Sequence, residues 1–212
     1  MEKFIKAALG YAKLGWFIFP LKPGDKIPIT PRGFKDASNN PDQIERWWAK
    51  TPDANIGLAC GPSKIAVIDL DVKEEGPENW AELASTKGID DNTVTCLTGG
   101  GGQHLYYRMP QDIKISCSIR KLGPGIDVRA EGGYVVVPPS IHPNGNSYFW
   151  EVDHSPDNCD ILPLPQPIIK LLEDKKQLPV LTTSGEKIAE GKRNDYLASL
   201  AGSMRRRVFD FR

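Results

Sequence analysis

The sequence predicts an α+β fold. Helical patterns open the chain, short strand patterns crowd its middle, and the two do not alternate as repeated βαβ units would. One stretch anchors the reading. Ile65-Ala66-Val67-Ile68 is an apolar run of buried-strand type that ends abruptly in Asp69-Leu70-Asp71.

Each element follows from local chemistry. Residues 2–14 place Phe4, Ile5, Ala8, Leu9 and Ala12 on one helical stripe. Gly15 can end that helix, and Trp16-Phe17-Ile18-Phe19 reads as a short buried strand stopped by Pro20. Residues 22–40 are rich in Pro, Gly, Asp and Asn and predict a long loop. Asn40 as cap and Pro41 at the first position start a second helix. Residues 55–59 and 65–71 read as two strands joined by the turn Cys60-Gly61-Pro62-Ser63. Residues 78–87 form a helix that Gly88 ends. Residues 93–97 and 103–107 are strands flanking the run Gly99 to Gly102. Residues 125–129 and 133–137 are read as a second pair turning at Gly132-Gly133, and residues 146–152 as a further strand. A helix is expected over 168–176, a linker over 178–184 and a helical stretch over 194–207. A lone helix of that length is marginal without packing, so the chain to Arg212 reads as a cut through a longer protein.

Composition narrows the classes. Hydrophobic residues make up 40% and charged residues 25% of 212, enough for one good core, in one or two lobes. No apolar run approaches the ~20 residues of a membrane span. The start lacks the apolar stretch of a signal peptide, so a cytoplasmic protein with no membrane contact is expected. Cys60, Cys96, Cys117 and Cys159 stand far apart without a Cys-x-x-Cys pair. Free thiols are expected, and zinc is not. Lys plus Arg equals Asp plus Glu at 27 each, a zero net charge that argues mildly against nucleic acid. Local positive surface is still expected from Lys114, Arg120, Lys121, Arg129 and Arg205-Arg206-Arg207.

Four features carry chemistry. Strand alternation turns Asp69 and Asp71 to one face, where a divalent cation relieves their repulsion. Mg²⁺ or Mn²⁺ suits such oxygen ligands and bridges them to phosphates. In Thr98-Gly99-Gly100-Gly101-Gly102-Gln103-His104, glycines let backbone amides approach phosphate oxygens. No Gly-Lys-Ser/Thr follows, so this is not a P-loop, and a flexible hairpin loop is the competing reading. His104 can donate to a phosphate oxygen or move a proton, against the plain alternative of an ordinary core or surface histidine. In Ile126-Asp127-Val128-Arg129, Asp127 and Arg129 again share a face, fit for a metal and its phosphate; an ordinary ion pair is the alternative. Taken together, three carboxylates match a two-metal phosphoryl-transfer site with ions ~3.5–4 Å apart.

These motifs resemble those of the bifunctional DNA primase/polymerase domains of the archaeo-eukaryotic primase superfamily, the type found in replication proteins of phages, plasmids and other mobile elements. The acidic pair Asp69-Leu70-Asp71, the small-x-His motif Gly102-Gln103-His104 and the hydrophobic-Asp motif Ile126-Asp127 occur in that order. Gly33-Phe34-Lys35-Asp36-Ala37, Ala54-Asn55-Ile56-Gly57 and the stretch from Arg129 through Tyr134 and Pro138-Pro139 to Ser140 extend the likeness over roughly residues 4–172.

The resemblance implies a small α/β part packed on a modified RRM-like part, with the site in the cleft. It implies Asp69, Asp71 and Asp127 as ligands of two Mg²⁺ or Mn²⁺ ions. His104 would contact the phosphates of an incoming NTP or dNTP, and Arg129 would neutralise the triphosphate. Lys35, Asn55, Ser140 and His142 are further nucleotide-side candidates, with loop solvation and turn hydrogen bonds as alternatives. Single-stranded DNA template and primer would be the partners, with a helicase module in the full-length protein. Residues 1–176 would be the catalytic domain, 177–191 a linker and 192–212 the start of a helical region. Relatives with a zinc-binding stem exist, but the cysteine spacing here does not support one. Where others have Ser in the histidine motif, Gly102 stands, so a backbone amide would replace a hydroxyl contact. Two other readings compete. A haloacid-dehalogenase-like phosphatase would use Asp69 as nucleophile and Asp71 as acid/base, and requires strand–helix alternation. An inactive single-stranded nucleic-acid-binding module would stack bases on Tyr106, Tyr107 and Tyr134.

Overall fold

The structure, a computed structural model, describes residues 2–173. The expected linker and helical region beyond 176, with Arg205-Arg206-Arg207, lie outside the described residues. The described part is α+β, with two antiparallel sheets and five helices.

Helix α1 (Glu2–Lys13) buries Phe4, Ala8 and Tyr11, and Gly15 beyond it adopts φ +81°. Strand β1 (Ile18–Leu21) runs straight through Pro20 instead of stopping there. This is tolerated because β1 is an edge strand, where a missing N–H can face away from the ladder. Helix α2 (Pro41–Lys50) is capped by Asn40, whose side chain accepts from the Asp42 amide at 2.9 Å. Strand β2 (Asn55–Ala59) pairs with β1 on one side and with β7 (Tyr134–Val137) on the other.

The second sheet has the order β6-β3-β5-β4-β8. Its strands are β3 (Ile65–Leu70), β4 (Thr95–Leu97), β5 (Gln103–Arg108), β6 (Ile126–Arg129) and the short β8 (Phe149–Trp150). Helix α4 (Gly76–Lys87) follows β3 and ends at Gly88 with φ +61°, and α5 (Gln166–Glu173) closes the described chain.

Two sequence expectations fail on strand partners. Residues 60–63 are not a hairpin turn but a one-turn helix, α3 (Cys60–Ser63), that carries the chain from the first sheet into the second. Likewise β6 and β7 do not pair. The segment between them crosses back, and the Cys60 amide donates to Gly133 O at 3.0 Å where the two crossings meet. Periodicity marks a strand and its end but not the sheet it joins.

The central strand β3 is buried on both faces, which explains its unbroken apolar run. Ile65 and Val67 face a core shared with the first sheet, α1 and α2, together with Tyr106 and Cys96. Ala66, Ile68 and Leu70 face a second core with Trp80 and Ala84 of α4 and Ile168 and Ile169 of α5. Each fully buried aliphatic side chain there contributes roughly 1.5–3 kcal/mol. No helix among the described residues is long and apolar enough to cross a membrane.

Candidate active site

The face that β3 turns toward the first sheet changes character along its length. Ile65 and Val67 are apolar and packed; the next residue on that face is Asp69. Here the two sheets part around a cavity of about 820 Å³, lined by the second sheet and by Tyr134, Val135 and Val136 of β7.

Strand register assembles the polar end. Asp69 stands directly opposite His104 on β5 and opposite Asp127 on β6. Three adjacent strands thus place three functional groups in one row across the sheet. His104 is 6% exposed, and its Nε2 lies 3.4 Å from Asp69 Oδ1. Arg129 follows Asp127 by two residues on the same face. Its Nη2 donates to Asp127 Oδ2 at 2.9 Å and its Nε to Asp69 Oδ2 at 3.4 Å. Asp127 Oδ1 also accepts from the Arg120 amide at 3.0 Å. Burial pushes the Asp69 carboxyl up, but the His104 hydrogen bond and charge and the Arg129 guanidinium outweigh it, leaving Asp69 at about 2.

Asp71 is placed differently from Asp69. The strand ends at Leu70, and Asp71 caps the following 3₁₀ turn, Val72–Glu74, by accepting from the Lys73 amide at 2.9 Å. It remains extended and lines the cavity with Asp69.

The glycine run forms the tight link between β4 and β5. Gly102 must be glycine, because a Cβ there would stand 2.2 Å from Leu70 O. A serine at this position would collide with the β3 backbone, so no hydroxyl contact could be made without displacing it. Gly99 is equally confined, with His142 Cβ 2.4 Å from where its own Cβ would lie. Its carbonyl accepts from the side chains of Asn144 and Asn146. The run is therefore a pinned turn, with Gly100 and Gly102 facing the cavity.

The remaining candidates divide. His142 lines the cavity. Asn55 and Ser140 are fully buried away from it. The Asn55 side chain donates to Asp25 O and Ile141 O and accepts from the Ile141 amide. Ser140 Oγ accepts from the Ile56 amide at 2.8 Å. Both hold backbone in place, the turn-bonding alternative of the sequence reading. Lys35 lines a separate shallow recess with Thr30, Gln43 and Trp47. Its neighbour Phe34 faces the main cavity and stacks on Tyr134, centroids 5.8 Å apart. Tyr106 and Tyr107 are fully buried, one in each core, so neither can stack a base.

The sequence reading missed Lys26, Glu74, Tyr148 and Asn144, which also line the cavity. Only the tertiary path brings these loop residues to the site, and no motif marks them.

For a divalent metal the donor chemistry fits: the converging groups are carboxylate oxygens, as Mg²⁺ and Mn²⁺ prefer. Asp69 and Asp127 already share one cation, the Arg129 guanidinium. Among the described residues no three His, Cys, Asp or Glu side chains converge closely enough to hold an ion unaided. The cysteines are free, with Cys60 and Cys96 buried and their thiols pushed up by burial.

The molecule is thus an α+β domain whose acidic strand ends meet a basic residue in an inter-sheet cavity. The chain belongs to the family described as bifunctional DNA primase/polymerase, N-terminal, whose sequence profile matches residues 8–167. That membership points to a DNA primase/polymerase, a nucleotidyltransferase of DNA replication. No curated protein matches the chain. Every strand pair within both sheets is antiparallel, which is not the strand–helix alternation that the phosphatase reading requires.

Proposed function

We propose that this domain catalyses template-directed nucleotidyl transfer on single-stranded DNA, as primase, polymerase or both. The observation that carries the reading is the row Asp127–Asp69–His104 across three neighbouring strands, with Arg129 beside it and a cavity of nucleotide size in front. Strand order supports the finer fold reading. A strand, a helix, two strands and a last strand in the order β6-β3-β5-β4 follow the split βαβ order of RRM-like sheets, with an irregular segment in place of the second helix. The three-stranded sheet with α1 and α2 would be the small α/β part.

Asp69, Asp71 and Asp127 would hold two Mg²⁺ or Mn²⁺ ions. When bound, these would supply charge neutralisation for the attacking 3′-oxygen and for the leaving pyrophosphate. The chain's own groups do the rest. The β3–β6 ladder fixes Asp69 and Asp127 to within the rigidity of a paired sheet, and the Lys73 amide holds Asp71, so positioning costs little at the moment of reaction. His104 orients Asp69 and reaches toward the nucleotide phosphates. Arg129 turns its guanidinium to the triphosphate, where its fork suits phosphate oxygens. Phe34 and Tyr134 offer an apolar wall on the first-sheet side. The setting would be replication of a phage, plasmid or other mobile element, with a helicase module in the full-length protein and a cytoplasmic location.

A primer-extension assay on primed single-stranded DNA with Mn²⁺ or Mg²⁺, beside folded Asp69→Asn protein, tests the reading. Extension lost in the variant supports it. No extension with either metal by folded wild type would favour a binding module.

A further inference from the structure

Arg129 is the only cation within hydrogen-bonding reach of both Asp69 and Asp127 among the described residues. It approaches the two carboxylates through two nitrogens of one guanidinium edge, Nε toward Asp69 and Nη2 toward Asp127. It is held there by register: Asp127 faces Asp69 across the ladder, and Arg129, two residues on, reaches back along the same face. The trio is only 22–35% exposed at its side chains, so water screens these contacts weakly. The carboxylate pair is therefore charge-compensated by a residue of its own.

We infer that Arg129 acts as a built-in counter-cation that keeps the carboxylate pair from taking a divalent ion until a nucleotide triphosphate arrives. This rests on the metal and nucleotide roles proposed above. A cation between Asp69 and Asp127 and the guanidinium between them compete for the same oxygens. A triphosphate offers Arg129 a bidentate alternative, and its departure frees both carboxylates. Metal and nucleotide then load together. In this role Arg129 is a positioning residue for metal entry, besides any contact with the triphosphate.

The test is Mn²⁺ binding without DNA, read by the electron paramagnetic resonance signal of free Mn²⁺. Wild type, Arg129→Gln and Arg129→Lys are compared, each with and without a deoxynucleoside triphosphate. Free triphosphate–Mn²⁺ binding is subtracted with protein-free controls. Without nucleotide, Arg129→Gln should bind Mn²⁺ about tenfold more tightly than wild type, the scale on which a neighbouring guanidinium shifts carboxylate equilibria. Arg129→Lys, which keeps the charge but loses the fork, should gain less and guards against misfolding of the Gln variant. Nucleotide should tighten Mn²⁺ binding by wild type far more than by Arg129→Gln. Equal or weaker Mn²⁺ binding by both variants would overturn the inference. In that event Asp127→Asn separates the causes. If it abolishes the Mn²⁺ bound by wild type with nucleotide, the metal-site reading survives and only the counter-cation role fails. If it changes nothing, the metal-site reading itself fails.

Discussion

Asp69 and His104 occupy directly opposed positions on β3 and β5, and the His104 Nε2 lies 3.4 Å from Asp69 Oδ1. The pair sits where the central sheet leaves its packed core and enters the cavity. The histidine is almost fully enclosed, and its second ring nitrogen, Nδ1, is buried without a protein partner. One ring nitrogen thus faces the carboxylate, and the other makes no hydrogen bond within the protein.

His104→Gln should keep a donor near Asp69, whereas His104→Ala should lose it and open a cavity. In primer extension the Ala variant is expected to fall at least about tenfold below the Gln variant. Its thermal unfolding should show a loss of roughly 2–4 kcal/mol. Equal activities would remove His104 from the site's chemistry.

Asp69 makes stability acid-sensitive. Its folded pKa, about 2, lies below its ordinary 3.8, so the contribution is present above pH ~4 and lost as pH falls through ~2. The loss should approach about 2 kcal/mol. Asp69→Asn should flatten that part of the stability-versus-pH curve between pH 4 and 2. An unchanged curve would mean that Asp69 is not stabilised in its charged form.

The glycine turn can be tested by position. Gly102→Ala drives a Cβ to 2.2 Å from Leu70 O and should cost about 3 kcal/mol or more, since backbone must move. Gly100→Ala meets only His142 Nε2 at 3.5 Å and Thr98 Oγ1 at 3.7 Å. It should change the melting temperature by no more than a few degrees. Similar melting curves for both would contradict the close approach of the turn to β3.

Asn55→Ala removes a buried side chain that ties two carbonyls and one amide together. Denaturant unfolding should report a loss of about 2–4 kcal/mol. In the folded variant at low temperature, the KM for nucleotide should stay near wild type. A raised KM with unchanged stability would return Asn55 to the nucleotide side.

Tyr106→Phe deletes a hydroxyl that is buried without a protein partner. Stability is expected to hold or to rise by up to ~1 kcal/mol. DNA affinity should not change, because the ring lies inside the core against Trp16. A marked loss of DNA binding would restore the base-stacking reading for this residue.

Much of the molecule was legible beforehand for local reasons. The stripe of α1, the Asn40 cap of α2 and the Gly88 stop of α4 are chemistry of neighbouring residues, and all three stand in the structure. Ile65–Leu70 reads as a buried strand because both of its faces are covered. Pro20 misled because proline is tolerated on an edge, and edge position is not a local property. Candidate residues separated the same way. Asn55 and Ser140 belong to segments that resemble the family, yet their side chains spend their hydrogen bonds on the backbone.

The sequence by itself determined most of the strands and helices, the α+β class, and the order of acidic, histidine and arginine motifs along the chain. Hydrophobic period, caps and glycine stops act over a few residues, so they are written in the chain. The tertiary structure alone decided which sheet each strand joined. It also decided that Asp69 meets both His104 and Asp127, and that Arg129 lies between the two acids. Those are contacts between residues up to 60 positions apart. Their geometry depends on strand register, and register follows from burying two faces of one central sheet at once.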